Sequence, residues 1–145
     1  MKVEIDTRAW IEAGLNELAS SGVAGVRVEV LAQRLGVTKG GFYRRFKNRR
    51  ALLTAVLDEW ARGRISAFTR LREQSEGQAP SERLSSVARH YTERLSVHGM
   101  AIELAIRQWA RTDSAAAAAC AGVDESASQT RRGTLSRSGL FARRI

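Results

Sequence analysis

Between Thr38 and Arg50 the sequence sets down six cations, Lys39, Arg44, Arg45, Lys47, Arg49 and Arg50, with no acidic residue among them. Guanidinium and ammonium groups at this density hold phosphate, and an arginine also matches the O6 and N7 edge of guanine with two parallel hydrogen bonds. The hydroxyls of Thr38 and Tyr43 are further phosphate donors. Gly40 and Gly41 stand among them in the first turn of a short helical segment, where each glycine costs about 1 kcal/mol relative to alanine. Close approach of the backbone to another surface is the best reason for that cost. Arg27, ahead of the preceding segment, adds one more cation.

The whole chain points the same way. It has 145 residues, a formal charge of +9 and a pI near 11.1, so its field gathers nucleic acid or acidic membrane surface. Position decides between them: from Leu71 to Arg111 arginine and glutamate nearly balance, and the excess charge lies in the N-terminal part. Cys120 is the single cysteine and suits a reducing compartment. The opening Met1-Lys2-Val3-Glu4-Ile5-Asp6 lacks the apolar stretch of a signal peptide, and no apolar run approaches the roughly 20 residues that span a bilayer. The expectation is a cytoplasmic protein without a membrane partner.

The elements that position these residues read as helices. Asp6 or Thr7 caps a first helix carrying Trp10, Ile11, Leu15, Leu18 and Ala19 inward, and Gly22 is suited to end it. Val28, Leu31, Ala32 and Leu35 recur at helical spacing and give a short helix from about Val28 to Leu35, closed by Gly36. A third helix opens at Thr38, whose hydroxyl is placed to cap Gly40 or Gly41, and runs to about Phe46. A long helix after Asn48 carries Leu52, Leu53, Val56, Leu57, Trp60, Ile65 and Phe68 to about Glu73, despite Gly63. After the linker 76–80, Ser81 caps a helix with the stripe Leu84, Val87, Ala88, Tyr91 and Leu95. Another follows from about Met100 to Arg111, and one more starts at Thr112-Asp113-Ser114. Beyond about Val123 the periodicity fails, and weak order is expected.

Two short helices joined at Gly36, the second bearing cations near its start, meet the demands of a helix-turn-helix. Val30, Leu31, Leu35, Val37, Phe42 and Phe46 are the side chains available to lock the angle. The run from Val30 through Ala32-Gln33-Arg34-Leu35-Gly36-Val37-Thr38-Lys39-Gly40-Gly41-Phe42-Tyr43 to Lys47 resembles the helix-turn-helix of the TetR family of bacterial regulators. With the preceding helix and 48–53, the resemblance covers the first third to half of the chain. It implies a three-helix DNA-binding head, a long fourth helix, a helical ligand-binding and dimerisation body, and repression relieved by a small molecule. It further implies that Thr38, Tyr43 and Lys47 hold phosphate and that Lys39 reaches phosphate or base. Arg44 is chosen here as a base reader. Arg45 stands where the family often has histidine, so its target is open.

The fold class is therefore all-α, with a DNA-binding domain over 1–48 and a helical regulatory domain over 49–145, poorly ordered after about 123. The partners expected are a double-stranded DNA operator, a small-molecule effector and a second copy of the chain, if the body suffices for a homodimer. Relatives continue further with two pairing helices, so a truncated or scrambled dimerisation surface, with weak and mainly non-specific DNA binding, is the first alternative. A basic RNA-binding or architectural module is the second. Tyr91, Arg107 and Trp109, with His90, His98 and Met100, are candidates to line an effector pocket, although Tyr91 and Trp109 at helical spacing are more often ordinary core. His90 and Glu93 lack a second ligand pair, so no metal or cofactor is expected. No nucleophile elbow, phosphate loop or paired His-carboxylate motif supports an enzyme.

Overall fold

The computed structural model describes residues 5–94 and 96–136. The order is α1 (Thr7–Gly25), α2 (Val28–Leu35), α3 (Lys39–Tyr43), α4 (Arg49–Ser75), α5 (Pro80–Arg94), α6 (Val97–Trp109) and α7 (Ser114–Ser136), with no strand among the described residues. The fold is all-α.

Caps explain most of the boundaries. The carboxylate of Asp6 accepts from the Ala9 amide at 2.8 Å and starts α1, and Asn48 accepts from Ala51 at 2.9 Å to start α4. Ser96 does the same for α6, accepting from Gly99 at 3.0 Å. In α1 the buried residues Trp10, Ala13, Gly14, Glu17 and Leu18 form one helical stripe. Gly22, at φ 68°, breaks the helical backbone and leaves 23–25 as a separate turn, an elbow at the end of α1. Gly36 closes α2 in the left-handed conformation, φ 67°, as its place after Leu35 predicts.

One continuous apolar core runs from Trp10 and Leu18 through Leu31, Phe42, Leu52 and Val56 to Ile106, Trp109 and Val123. α4 packs chiefly against α7 and α1 chiefly against α6, so the long fourth helix is shared by both ends of the molecule.

Three sequence expectations need correction. Order is not lost directly after Val123: α7 continues to Ser136, with Ser126 and Thr130 buried, and 137–145 lie outside the described residues. The inward positions there are small and polar, and the Thr130 hydroxyl donates to the Ser126 carbonyl at 3.0 Å, which satisfies it without apolar periodicity. Arg72 of α4 also reaches Gln129 at 3.3 Å. Second, α5 starts at Pro80 rather than after a Ser81 cap, with the Glu82 carboxylate reaching back to the Ala79 amide at 3.1 Å. Of its stripe, Leu84 is 63% exposed and Ala88 is exposed, Val87 is half-buried, and Leu95 and the Tyr91 side chain lie outside the described residues. Third, α6 begins at Val97, three residues before Met100, because Ser96 supplies the cap.

Candidate nucleic-acid interface

The recognition unit is built from its core outward. Phe42 is fully buried and meets the edge of Trp10 with ring centroids 5.4 Å apart at 74°, and Phe46 stacks on it at 5.4 Å and 23°. Leu31 is fully buried as well, while Leu35 and Val37 pack against the same cluster. A charged clamp fixes α2 against α1: Glu17, nearly buried, accepts from Ser21 at 2.8 Å and pairs with Arg34 at 2.6 Å. Such a paired, hydrogen-bonded carboxylate orders two helices where an unpaired one would be costly.

This frame turns the polar side chains of α3 and the following turn outward. Arg27, Thr38, Lys39, Gly40, Tyr43, Arg44, Arg45 and Lys47 are all exposed, and Gly41 is half-buried. The helix itself is shorter than the sequence suggests, ending at Tyr43. Arg44 and Arg45 lie in a turn whose amides still reach back, Arg45 to the Phe42 carbonyl at 2.8 Å and Phe46 to the same carbonyl at 2.9 Å. The predicted hydroxyl cap is also absent: it is the Thr38 carbonyl that accepts from the Gly41 amide, at 3.0 Å, and the Thr38 side chain makes no capping bond. Tyr43 is 58% exposed and meets Phe42 edge to face, with ring centroids 5.1 Å apart at 86°.

The two glycines are not explained by packing inside the protein. A methyl group at Gly40 would lie 3.6 Å from the Thr38 hydroxyl, and one at Gly41 would lie 3.8 Å from the Trp10 ring, both ordinary contacts. Neither has a positive φ. Alanine would fit and favour the helix, so contacts among the described residues do not account for glycine at these positions.

The cationic run divides at Asn48. Arg49 turns inward and donates from Nε to the Val26 carbonyl and from Nη2 to the Val23 carbonyl, each at 2.5 Å. Arg50 donates from Nη1 to the Asp113 carboxylate at 2.6 Å. That arginine and the Ala116 amide hold the Asp113 carboxyl below its ordinary range. These two arginines are cross-links within the fold. Lys39 has a nearby acid of its own, the Glu29 carboxylate at 3.6 Å on α2, both groups largely exposed.

Among the pocket candidates with described side chains, Arg107 and Trp109 have different surroundings. Arg107 is engaged with the Asp124 carboxylate at 2.7 and 3.2 Å and with Glu103 at 3.1 Å, joining α6 to α7. Its hydrogen bonds hold the Asp124 carboxyl low. Trp109 is buried and lines a groove toward the α1 elbow, in which Arg107 takes no part. His98 and Met100 are exposed at the start of α6, and the side chains of His90 and Tyr91 lie outside the described residues.

A braced second helix, an outward cationic edge and a backbone free to approach closely define a helix-turn-helix DNA-binding protein. Residues 11–56 match the model of the bacterial regulatory proteins of the tetR family. The match covers the helix-turn-helix and the helices that flank it, and it supports a DNA-binding transcriptional regulator. The chain matches no curated protein and no solved structure. Among the described residues no helix is long and apolar enough to cross a membrane.

Proposed function

We propose that the chain is a cytoplasmic repressor that reads duplex operator DNA as a homodimer, is released by a small-molecule effector and carries out no catalysis. The observation that carries the DNA-reading part is the outward set Thr38, Lys39, Tyr43, Arg44 and Lys47 beside two glycines that the fold itself does not require. In this reading Thr38, Tyr43 and Lys47 hold phosphates, Lys39 takes phosphate or base, and Arg44 reads guanine from the major groove. Arg27 and Arg45 contribute charge at the edge of the footprint, and Gly40 and Gly41 let the backbone approach.

One head covers one half-site, and half-sites lie about 34 Å apart, so an operator calls for two copies. The outer stripe of α6 supports pairing: Val97, Met100 and Leu104 recur on one face and are 86%, 51% and 70% exposed, the kind of apolar surface that joins protein copies. Sedimentation at micromolar concentration checks this. A dimer is expected, and a monomer at all concentrations contradicts it.

The function is tested by salt-titrated binding to the DNA upstream of the chain's own gene, against random duplex, single-stranded DNA and RNA. The upstream duplex should bind tightest, with log K falling linearly in log salt. Equal affinity for all four would overturn the reading.

A further inference from the structure

Between Glu17 and Asp58 the sequence carries eight cations and a single acid, Glu29. Glu29 lies in the first turn of α2, and its carboxylate is 3.6 Å from the ammonium of Lys39, the first residue of α3. Both side chains are more than half exposed. A carboxylate beside the cationic edge weakens the field that draws DNA in, and an exposed ion pair adds little stability in return. The carboxyl is held below its ordinary range by its own backbone amide and, less, by Lys39, so at neutral pH it is an acceptor only.

A charge-assisted hydrogen bond is about 2.7–2.9 Å long. At 3.6 Å the two groups attract without that bond, so the ammonium keeps its three donors and the carboxylate its acceptor positions. A donor and an acceptor side by side match what one G·C pair offers in the major groove. Guanine O6 and N7 accept, the amino group of the paired cytosine donates, and O6 and that amino group are neighbours because they share a Watson–Crick bond. Lysine to guanine and glutamate to cytosine are the pairings that base-edge chemistry favours. An A·T pair presents the thymine methyl instead, a poor neighbour for a carboxylate. Lys39 also stands at the N-terminal end of the second helix of the motif, the end that meets base edges.

We propose that Glu29 and Lys39 act as one reading unit, in which the ammonium takes a guanine and the carboxylate takes the cytosine paired with it, so that an acid on the supporting helix specifies one base pair of the operator. This rests on the DNA-reading function above and adds a residue of α2 to it. An acid in the first turn also suits the dipole of α2, whose N-cap Arg27 makes no side-chain capping bond. That structural role bears on stability and leaves base preference alone.

The test is selection from a pool of randomised DNA duplexes by the full chain, with sequencing of the duplexes retained, for the wild type, Glu29→Ala and Lys39→Ala. The wild type should enrich a motif in which one G·C pair is favoured about tenfold over the alternatives. Both variants should lose the preference at that same pair and keep the rest of the motif. Both sites are exposed, so thermal melts should nearly match the wild type. Removing a negative charge strengthens phosphate binding to every sequence, which makes the preference, rather than the affinity, the deciding quantity. An unchanged motif in Glu29→Ala overturns the proposal, whatever happens to its affinity or its melting. Losses at two different base pairs, or at a pair other than G·C, overturn it as well. A wild type that enriches no motif contradicts the DNA-reading function itself and the reading unit with it, whereas an enriched motif indifferent to Glu29 removes the reading unit alone.

Discussion

Lys39 to Lys47 and Arg49 to Arg50 form one cationic run in the sequence, and the fold sends them in opposite directions. The first group stands in solvent on α3 and its turn. The second is spent on the protein: two carbonyls at the elbow of α1 and a carboxylate at the start of α7. Chemically the groups are alike. What separates them is the Asn48 cap, which starts a new helix in a new direction, and the acceptors on α1 and ahead of α7 that Arg49 and Arg50 reach. Cation density therefore locates a nucleic-acid-binding region, whereas the partners available inside the fold decide which cations remain for DNA.

The comparison breaks most sharply at Arg49. Arg49→Gln should leave the Val23 and Val26 carbonyls without their charged donor and lower stability by about 2 kcal/mol, a fall in Tm of roughly 5–10 °C. Arg44→Ala should leave Tm nearly unchanged, as surface substitutions do, and weaken operator binding by about 1–3 kcal/mol, with the loss confined to one base position. Thermal melts paired with binding isotherms on both variants check the contrast; similar Tm losses would break it. Lys47→Ala should weaken binding evenly across sequences and reduce the log K against log salt slope by about 0.9.

A smaller effect sharpens the role of the glycines. Gly40→Ala should raise stability by up to about 1 kcal/mol, since a helix prefers alanine and the new methyl meets no close neighbour. Yet it should weaken duplex binding. Stability and affinity moving in opposite directions would identify the outside surface that this glycine serves; tighter binding would remove that role.

The smallest effect is in acid. Arg50 holds the Asp113 carboxyl below its ordinary range, so the folded chain takes up that proton less readily than the unfolded one. The contact's contribution is complete above the ordinary carboxylate range and is lost as pH falls through the lowered value. Tm measured against pH should show a shallower acid limb in Asp113→Asn than in the wild type.

Much of the head was legible because its signals are local. Asp6, Gly36 and Asn48 mark helix ends by their own side chains or lack of one, and Val28–Leu35 emerges from apolar spacing alone. The outward character of Arg44 and Lys47 follows from Phe42 and Phe46 facing the core on the same short segment. The fate of Arg49 was not legible, since its partners are backbone carbonyls 23 and 26 residues away that no side-chain pattern announces. The second half of α7 hid for a different reason: Ser126 and Thr130 fill buried positions that an apolar pattern assigns to larger residues. The pairing of Arg107 was not legible either, because its partner Asp124 lies on that stretch of helix.

The most direct measurement follows the side-chain Nε–Hε signals of Arg44 and Arg49 while duplex operator DNA is added. The Arg44 signal should move and saturate with the duplex while that of Arg49 stays in place, still held by Val26. A moving Arg49 signal beside a stationary Arg44 would contradict the division of the cationic run on which this account of DNA binding stands.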